Sequence, residues 1–214
     1  MLNKLEIYNF EDTGRGMRAT ENIFTGDIIA KIPLSNCIIV DNNTKKPDDI
    51  RMSHENWSNM DLFEKLATVL ILENEKGIQG RYYNYIQTFP SNLNLVDTMN
   101  NLRWDKYWLK FKRKLDNELR LMKFKWCNKV KAKYFLDIAR TRSIYDPHRC
   151  GLYPMLDLFN HDTRTTKDFD YDLKIENNYI IFRSMRNVIR HQQFFVSYGK
   201  LSSNDLLYQY GIIT

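Results

Sequence analysis

Leu152-Tyr153-Pro154-Met155-Leu156-Asp157-Leu158-Phe159-Asn160-His161 is the stretch on which the reading of this chain turns. An apolar run closes on two adjacent polar side chains. Asn160 brings two donors and an acceptor, and neutral His161 brings one of each. Alone, the stretch also reads as a capped helix end with one satisfied histidine. The choice between these readings depends on what stands on either side.

Upstream, the first forty residues read as β. Leu5 and Ile7 mark a short strand, and Asp12-Thr13-Gly14-Arg15-Gly16 reads as a turn whose two glycines permit positive φ. Ile28–Ile32 and Cys37–Val40 are β-branched runs separated by Pro33. Residues 41–57 are polar and irregular. Leu62, Phe63, Leu66, Val69, Leu70 and Glu73 then fall at helical spacing, with Gly77 as the stop. Trp104, Trp108, Phe111, Leu115, Leu119, Met122, Trp126 and Val130 extend this periodicity over about seven turns, with a break near Lys125, and read as a core-facing stripe.

Downstream, the pattern returns to β. Tyr171–Ile175 and Tyr179–Phe182 flank Glu176-Asn177-Asn178, a hairpin signal. Gln193–Gly199 reads as an apolar strand ending in Tyr198-Gly199. Ser202 or Ser203 can cap a last short helix through Gln209. The fold class is therefore α+β, with several short strands interrupted by a helical block.

Composition narrows the function classes. The chain has 214 residues, 43% hydrophobic and 14% aromatic, which suits one domain or one domain with a large insertion. Mean hydropathy is −0.54 and no apolar run approaches the roughly 18 residues that span a bilayer. Neither a membrane segment nor a signal peptide is expected, and the expected location is cytoplasmic or nuclear. Three scattered cysteines, Cys37, Cys127 and Cys150, read as reduced thiols. They form no CxxC pair, so no metal site is expected. Adjacency of His148 and Cys150 does not by itself make a catalytic dyad. Twelve Lys and Arg between Arg103 and Lys133 face three acidic residues, so the net charge of +6 resides in one segment. That segment raises nucleic-acid or scaffold binding as an alternative, although a solvated helix face also accounts for it.

Taken in order, Gly14-Arg15-Gly16, the Arg140-Thr141-Arg142 segment, Asn160-His161 and Ser197-Tyr198-Gly199 resemble the SET-domain protein methyltransferases. The resemblance is to the branch of the Rubisco large-subunit lysine methyltransferase, which carries a helical insertion. Gly80–Pro90 looks like that branch's Tyr-Leu-x-x-Leu-Pro segment. The resemblance implies a SET-type fold of several small β-sheets, with residues 1–44 and 146–214 forming the SET domain. Residues 45–145 would be the mostly helical insertion, and a C-terminal knot-like segment would close the fold. No C-terminal substrate-binding domain is expected after Thr214.

It further implies S-adenosylmethionine as cofactor and a protein lysine side chain as substrate, with no metal. Thr13, Gly14, Arg15 and Gly16 would lie along the cofactor's methionine part. Arg142 would sit near its carboxylate, where a fixed guanidinium suits an anion. Asn160 and His161 would hold its amino end and adenine. Tyr198 would be the catalytic tyrosine and also border the cofactor, and Tyr210 and Ile212 would border the adenine and the target channel. The implied activity is protein-lysine N-methylation. The alternative is a SET-fold pseudoenzyme or a basic nucleic-acid- or protein-binding module.

Overall fold

A computed structural model describes residues 3–50, 52–91, 127–162, 171–199, 201–210 and 212. The stripe from Trp104 to Trp126 and the basic cluster Lys112-Arg113-Lys114 lie outside the described residues. In chain order the strands are β1 (Leu5–Phe10), β2 (Gly14–Ala19), β3 (Ile28–Pro33), β4 (Ile38–Asp41), β5 (Ile144–Asp146), β6 (Arg149–Leu152), β7 (Asn160–His161), β8 (Tyr171–Glu176), β9 (Tyr179–Ser184) and β10 (Phe195–Val196). The helices are α1 (His54–Ser58), α2 (Leu62–Glu75), α3 (Tyr83–Ile86), α4 (Lys129–Arg142) and α5 (Ser203–Tyr210). The strands form four small sheets among the described residues, in an α+β arrangement. None of these helices is long and apolar enough to cross a membrane.

The chain divides into two compact units. The first is built from Met1–Cys37 and Tyr153–Ser202. Here β1 and β2 form an antiparallel pair, β3-β9-β8 a three-stranded sheet, and β7 and β10 a short parallel pair. The loop between β8 and β9 is Asn177-Asn178, with φ of 50° and 63°. Those values fit a type I′ turn, whose twist matches the flanking strands, and asparagine tolerates them best after glycine. An aromatic cluster sits in the largely aliphatic core of this unit. Phe159 stacks on Phe182 at 5.2 Å between ring centroids, and Phe194 packs on both.

The second unit comprises Ile38–Leu152 and Ser203–Ile213. Its sheet runs β4-β6-β5. A capping box starts α2: the Asp61 carboxylate accepts the Glu64 N–H, and the Glu64 carboxylate accepts the Asp61 N–H. Gly77, at φ 57°, follows the helix end, as the sequence reading expects. Leu66, Leu70 and Ile71 of α2 bury against Phe135, Leu136 and Ile138 of α4, with Ile38 and Leu152 of the sheet in the same core.

Three expectations need correction. The region 41–57 is not irregular throughout: Ser53 caps α1 by accepting the Asn56 N–H, and Trp57 is buried. Val130 does not continue an inward stripe. Asn128 caps α4 by accepting the Val130 N–H, and Val130, in the first turn of that helix, is 77% exposed. Only Gly14 of the first two glycines has a positive φ, at 68°. Gly16 lies within β2 and answers to a different constraint, described below.

Candidate active site

In the first unit, β7 places Asn160 and His161 beside β10 in parallel register, Asn160 opposite Phe195 and His161 opposite Val196. Pairing is what sets the two side chains apart, because successive residues of a strand point to opposite faces. The Asn160 side chain turns to the β1–β2 connection. Its Nδ2 donates to the carbonyls of Thr13 and Arg15 at 3.4 and 3.3 Å. A Cβ added to Gly16 would stand 2.8 Å from Asn160 Nδ2 and 2.6 Å from Gln193 Nε2. A larger residue at position 16 is therefore opposed by close approach rather than by backbone angle, since the ends of both carboxamide side chains would have to move. At Gly14 the same test meets nothing within 4 Å, so that face of the turn is open.

His161 is buried at 7% exposure. Its Nδ1 accepts the Tyr198 N–H at 3.1 Å, so the neutral ring carries its proton on Nε2. The imidazole and the Tyr198 ring stack at 5.0 Å. The Tyr198 hydroxyl donates to the Phe159 carbonyl at 2.7 Å. Gly199, at φ 103°, turns the chain immediately after. Tyr198 is thus held at both ends, by its backbone N–H and by its hydroxyl. Behind the pair, Arg186 forms an ion pair with Asp162 at 3.2 Å and donates to the Phe195 carbonyl, tying the loop after β9 to β10.

Thr13, Arg15, Gly16, Asn160, His161 and Tyr198 accordingly belong to linked contacts of one unit. Gln193 joins them, although the sequence reading has it only as the first residue of a strand and not as a site residue. Its chemistry is that of any exposed polar residue in the sequence, and only the fold brings it to Thr13. Sequence also missed that Asn160-His161 is a strand, since two residues carry no periodicity.

Arg142, Tyr210 and Ile212 belong to the second unit. Arg142 is the last residue of α4 and Tyr210 the last of α5, and the two helices pack together. Burial pushes the Tyr210 phenol up to about 12, with a smaller contribution from nearby Cys150. The Ile212 N–H donates to the Leu206 carbonyl at 3.2 Å. Cys150 is fully buried on β6 and its thiol donates to Ser143 Oγ at 3.1 Å. Cys150 is thus a packed thiol, whereas His148 is exposed.

The SET domain family model matches residues 14–199, and the chain belongs to that family. SET domain-containing protein 4 of Artemia parthenogenetica is 24% identical over 242 aligned positions, covering 98% of this chain and 58% of its own length. The SET domain of LSMT bound to MeLysine and AdoHcy superposes with a TM-score of 0.74 at 18% identity, over 99% of this chain and 52% of that one. Rubisco LSMT bound to AdoMet superposes with a TM-score of 0.69, also at 18% identity and over the same shares. The chain thus spans little more than half the length of these relatives, and it shares their fold.

Proposed function

We propose that this chain is an S-adenosylmethionine-dependent protein-lysine N-methyltransferase. The observation that carries the reading is the convergence of Asn160 on the Thr13 and Arg15 carbonyls beside a His161-held Tyr198. Membership of the SET family supports it, as do solved relatives described as bound to AdoMet, AdoHcy, lysine and methyl-lysine. The residues fit such a group: the turn at Gly14 has an open face, and Gly16 brings the backbone close to two carboxamides.

The cofactor, when bound, supplies a methyl group on a cationic sulfonium. The protein's part is orientation, which for well-aligned reactants supplies several kcal/mol of the barrier, about 7 at the low end. Asn160 and the 13–16 backbone would fix the amino-acid part, and Arg142 its carboxylate. Tyr198 has its proton committed to the Phe159 carbonyl, so it acts as a neutral positioner through its remaining lone pairs. A lysine begins near a pKa of about 10.4, and entry into an apolar channel beside a cation disfavours its ammonium form. No strong base is needed from the chain. Tyr210 and Ile212 would wall the adenine and target channel, and a knot-like C-terminal closure belongs to the same proposal. The residue limits 1–44, 45–145 and 146–214 for the SET parts and the insertion are likewise proposed.

Isothermal calorimetry with S-adenosylhomocysteine tests the reading. Micromolar binding is expected. A folded chain that shows neither heat nor a thermal shift contradicts it.

A further inference from the structure

Gln193 opens the segment that leads to Tyr198, and its surroundings are unusual. Its backbone lies between two main-chain bonds that fasten the segment to β2: the Ala19 N–H donates to the Gln192 carbonyl at 2.9 Å, and the Phe194 N–H donates to the Met17 carbonyl at 2.8 Å. Its side chain reaches back to the β1–β2 connection, where the Thr13 hydroxyl donates to Gln193 Oε1 at 2.8 Å. Its Nε2 is buried against Gly16 and makes no hydrogen bond.

Folding alone does not call for this residue. A buried carboxamide nitrogen without an acceptor is destabilising, and a methionine would fill a similar volume without that cost. Glutamine at this place accomplishes one thing that methionine cannot, which is to accept the Thr13 hydroxyl. Asn160 grips the same turn from its other side, through the Thr13 and Arg15 carbonyls. Two carboxamides from separate segments thus close on four residues of backbone, and the absence of a Cβ at Gly16 makes room for both.

We infer that Gln193 is a positioning residue of the cofactor site, holding the Thr13–Gly16 backbone, where the β1–β2 connection enters β2, through the Thr13 hydroxyl in the conformation that accepts the cofactor's amino-acid part. This rests on the cofactor reading above. Gly14, Arg15 and Gly16 are already paired with β1, whereas Thr13 precedes β2, so releasing its hydroxyl loosens the connection where it enters the sheet and leaves the strand pairing in place.

A double-mutant cycle with Thr13→Val and Gln193→Met tests this, reading the Kd for S-adenosylhomocysteine together with thermal unfolding of the unliganded chain. Each single variant is expected to bind about tenfold more weakly. The double variant is expected to bind no more weakly than either single, because both remove one shared contact. Thr13→Ser, which keeps the hydroxyl, restores wild-type affinity. The unliganded unfolding temperature of Gln193→Met stays level or rises. Thr13 is exposed, so Thr13→Val against Thr13→Ser carries the test by itself if Gln193→Met fails to fold. Wild-type affinity in both single variants overturns the inference while leaving the cofactor reading in place, as do losses that simply add. A folded wild-type chain that does not bind S-adenosylhomocysteine overturns both.

Discussion

The backbone N–H of Tyr198 donates to Nδ1 of His161 at 3.1 Å, and the two rings stack 5.0 Å apart. One half of the Asn-His pair thus holds the tyrosine of the Tyr-Gly segment, while the other half holds the glycine-rich turn. These residues lie far apart in sequence, and the short parallel pairing of β7 with β10 aligns them.

Tyr198→Phe removes only the hydroxyl and its bond to the Phe159 carbonyl. The ring, its stacking on His161 and the backbone bond remain, so the fold is expected to survive. Turnover is expected to fall about 10²-fold or more, the scale of a lost transition-state contact. Affinity for S-adenosylhomocysteine should change less than about tenfold. Steady-state kinetics beside a circular-dichroism melt checks this, and near-normal turnover would make Tyr198 a packing residue.

Gly14 and Gly16 should respond differently to alanine. At Gly14 the added methyl meets open space, and the cost is the positive φ, about 1 kcal/mol of stability. At Gly16 the methyl collides with the amides of Asn160 and Gln193. The ends of those side chains must move, so Gly16→Ala should lose cofactor affinity by more than Gly14→Ala does. Urea midpoints and calorimetric Kd values for both variants distinguish the two constraints.

His191 is exposed and sits at φ 70°, while its N–H donates to the Ala19 carbonyl at 2.7 Å. A non-glycine residue is strained there. His191→Gly keeps the backbone bond and relieves the strain, and should stabilise the chain by about 0.5–1 kcal/mol. A lower urea midpoint in the variant would show that the histidine side chain contributes contacts that outweigh the strain.

Much of the fold was legible because it is written in local signals. Asn177-Asn178 announced a hairpin, and the spacing from Leu62 to Glu73 announced α2. Features created by convergence were not legible. The strand at Asn160-His161 exists only through its partner at Phe195-Val196. Gly16 resembled a turn glycine because the sequence cannot show what approaches it. Val130 fitted the apolar spacing before it, since the cap at Asn128 is one residue among many polar ones. Gln193 read only as the start of a strand, with nothing to mark it as a site residue.

The Tyr210 phenol, raised by burial from its usual value near 10 to about 12, makes stability depend on alkaline pH. Below pH 10 both folded and unfolded chains keep the proton, and the contribution is complete. Between about 10 and 12 the unfolded chain loses its proton first, so stability falls as pH rises. Tyr210→Phe should flatten this part of the decline. Urea midpoints from pH 9 to 11 for both proteins measure it, and parallel curves would contradict a buried neutral phenol.

The most direct test is transfer itself. The purified chain is incubated with S-adenosylmethionine carrying a tritiated methyl group and a mixed protein extract, with Tyr198→Phe alongside, and labelled proteins are mapped by mass spectrometry. The account predicts label on lysine side chains that falls about 10²-fold in the Phe variant. Label confined to histidine, or no label from a folded chain that binds S-adenosylhomocysteine, would contradict it.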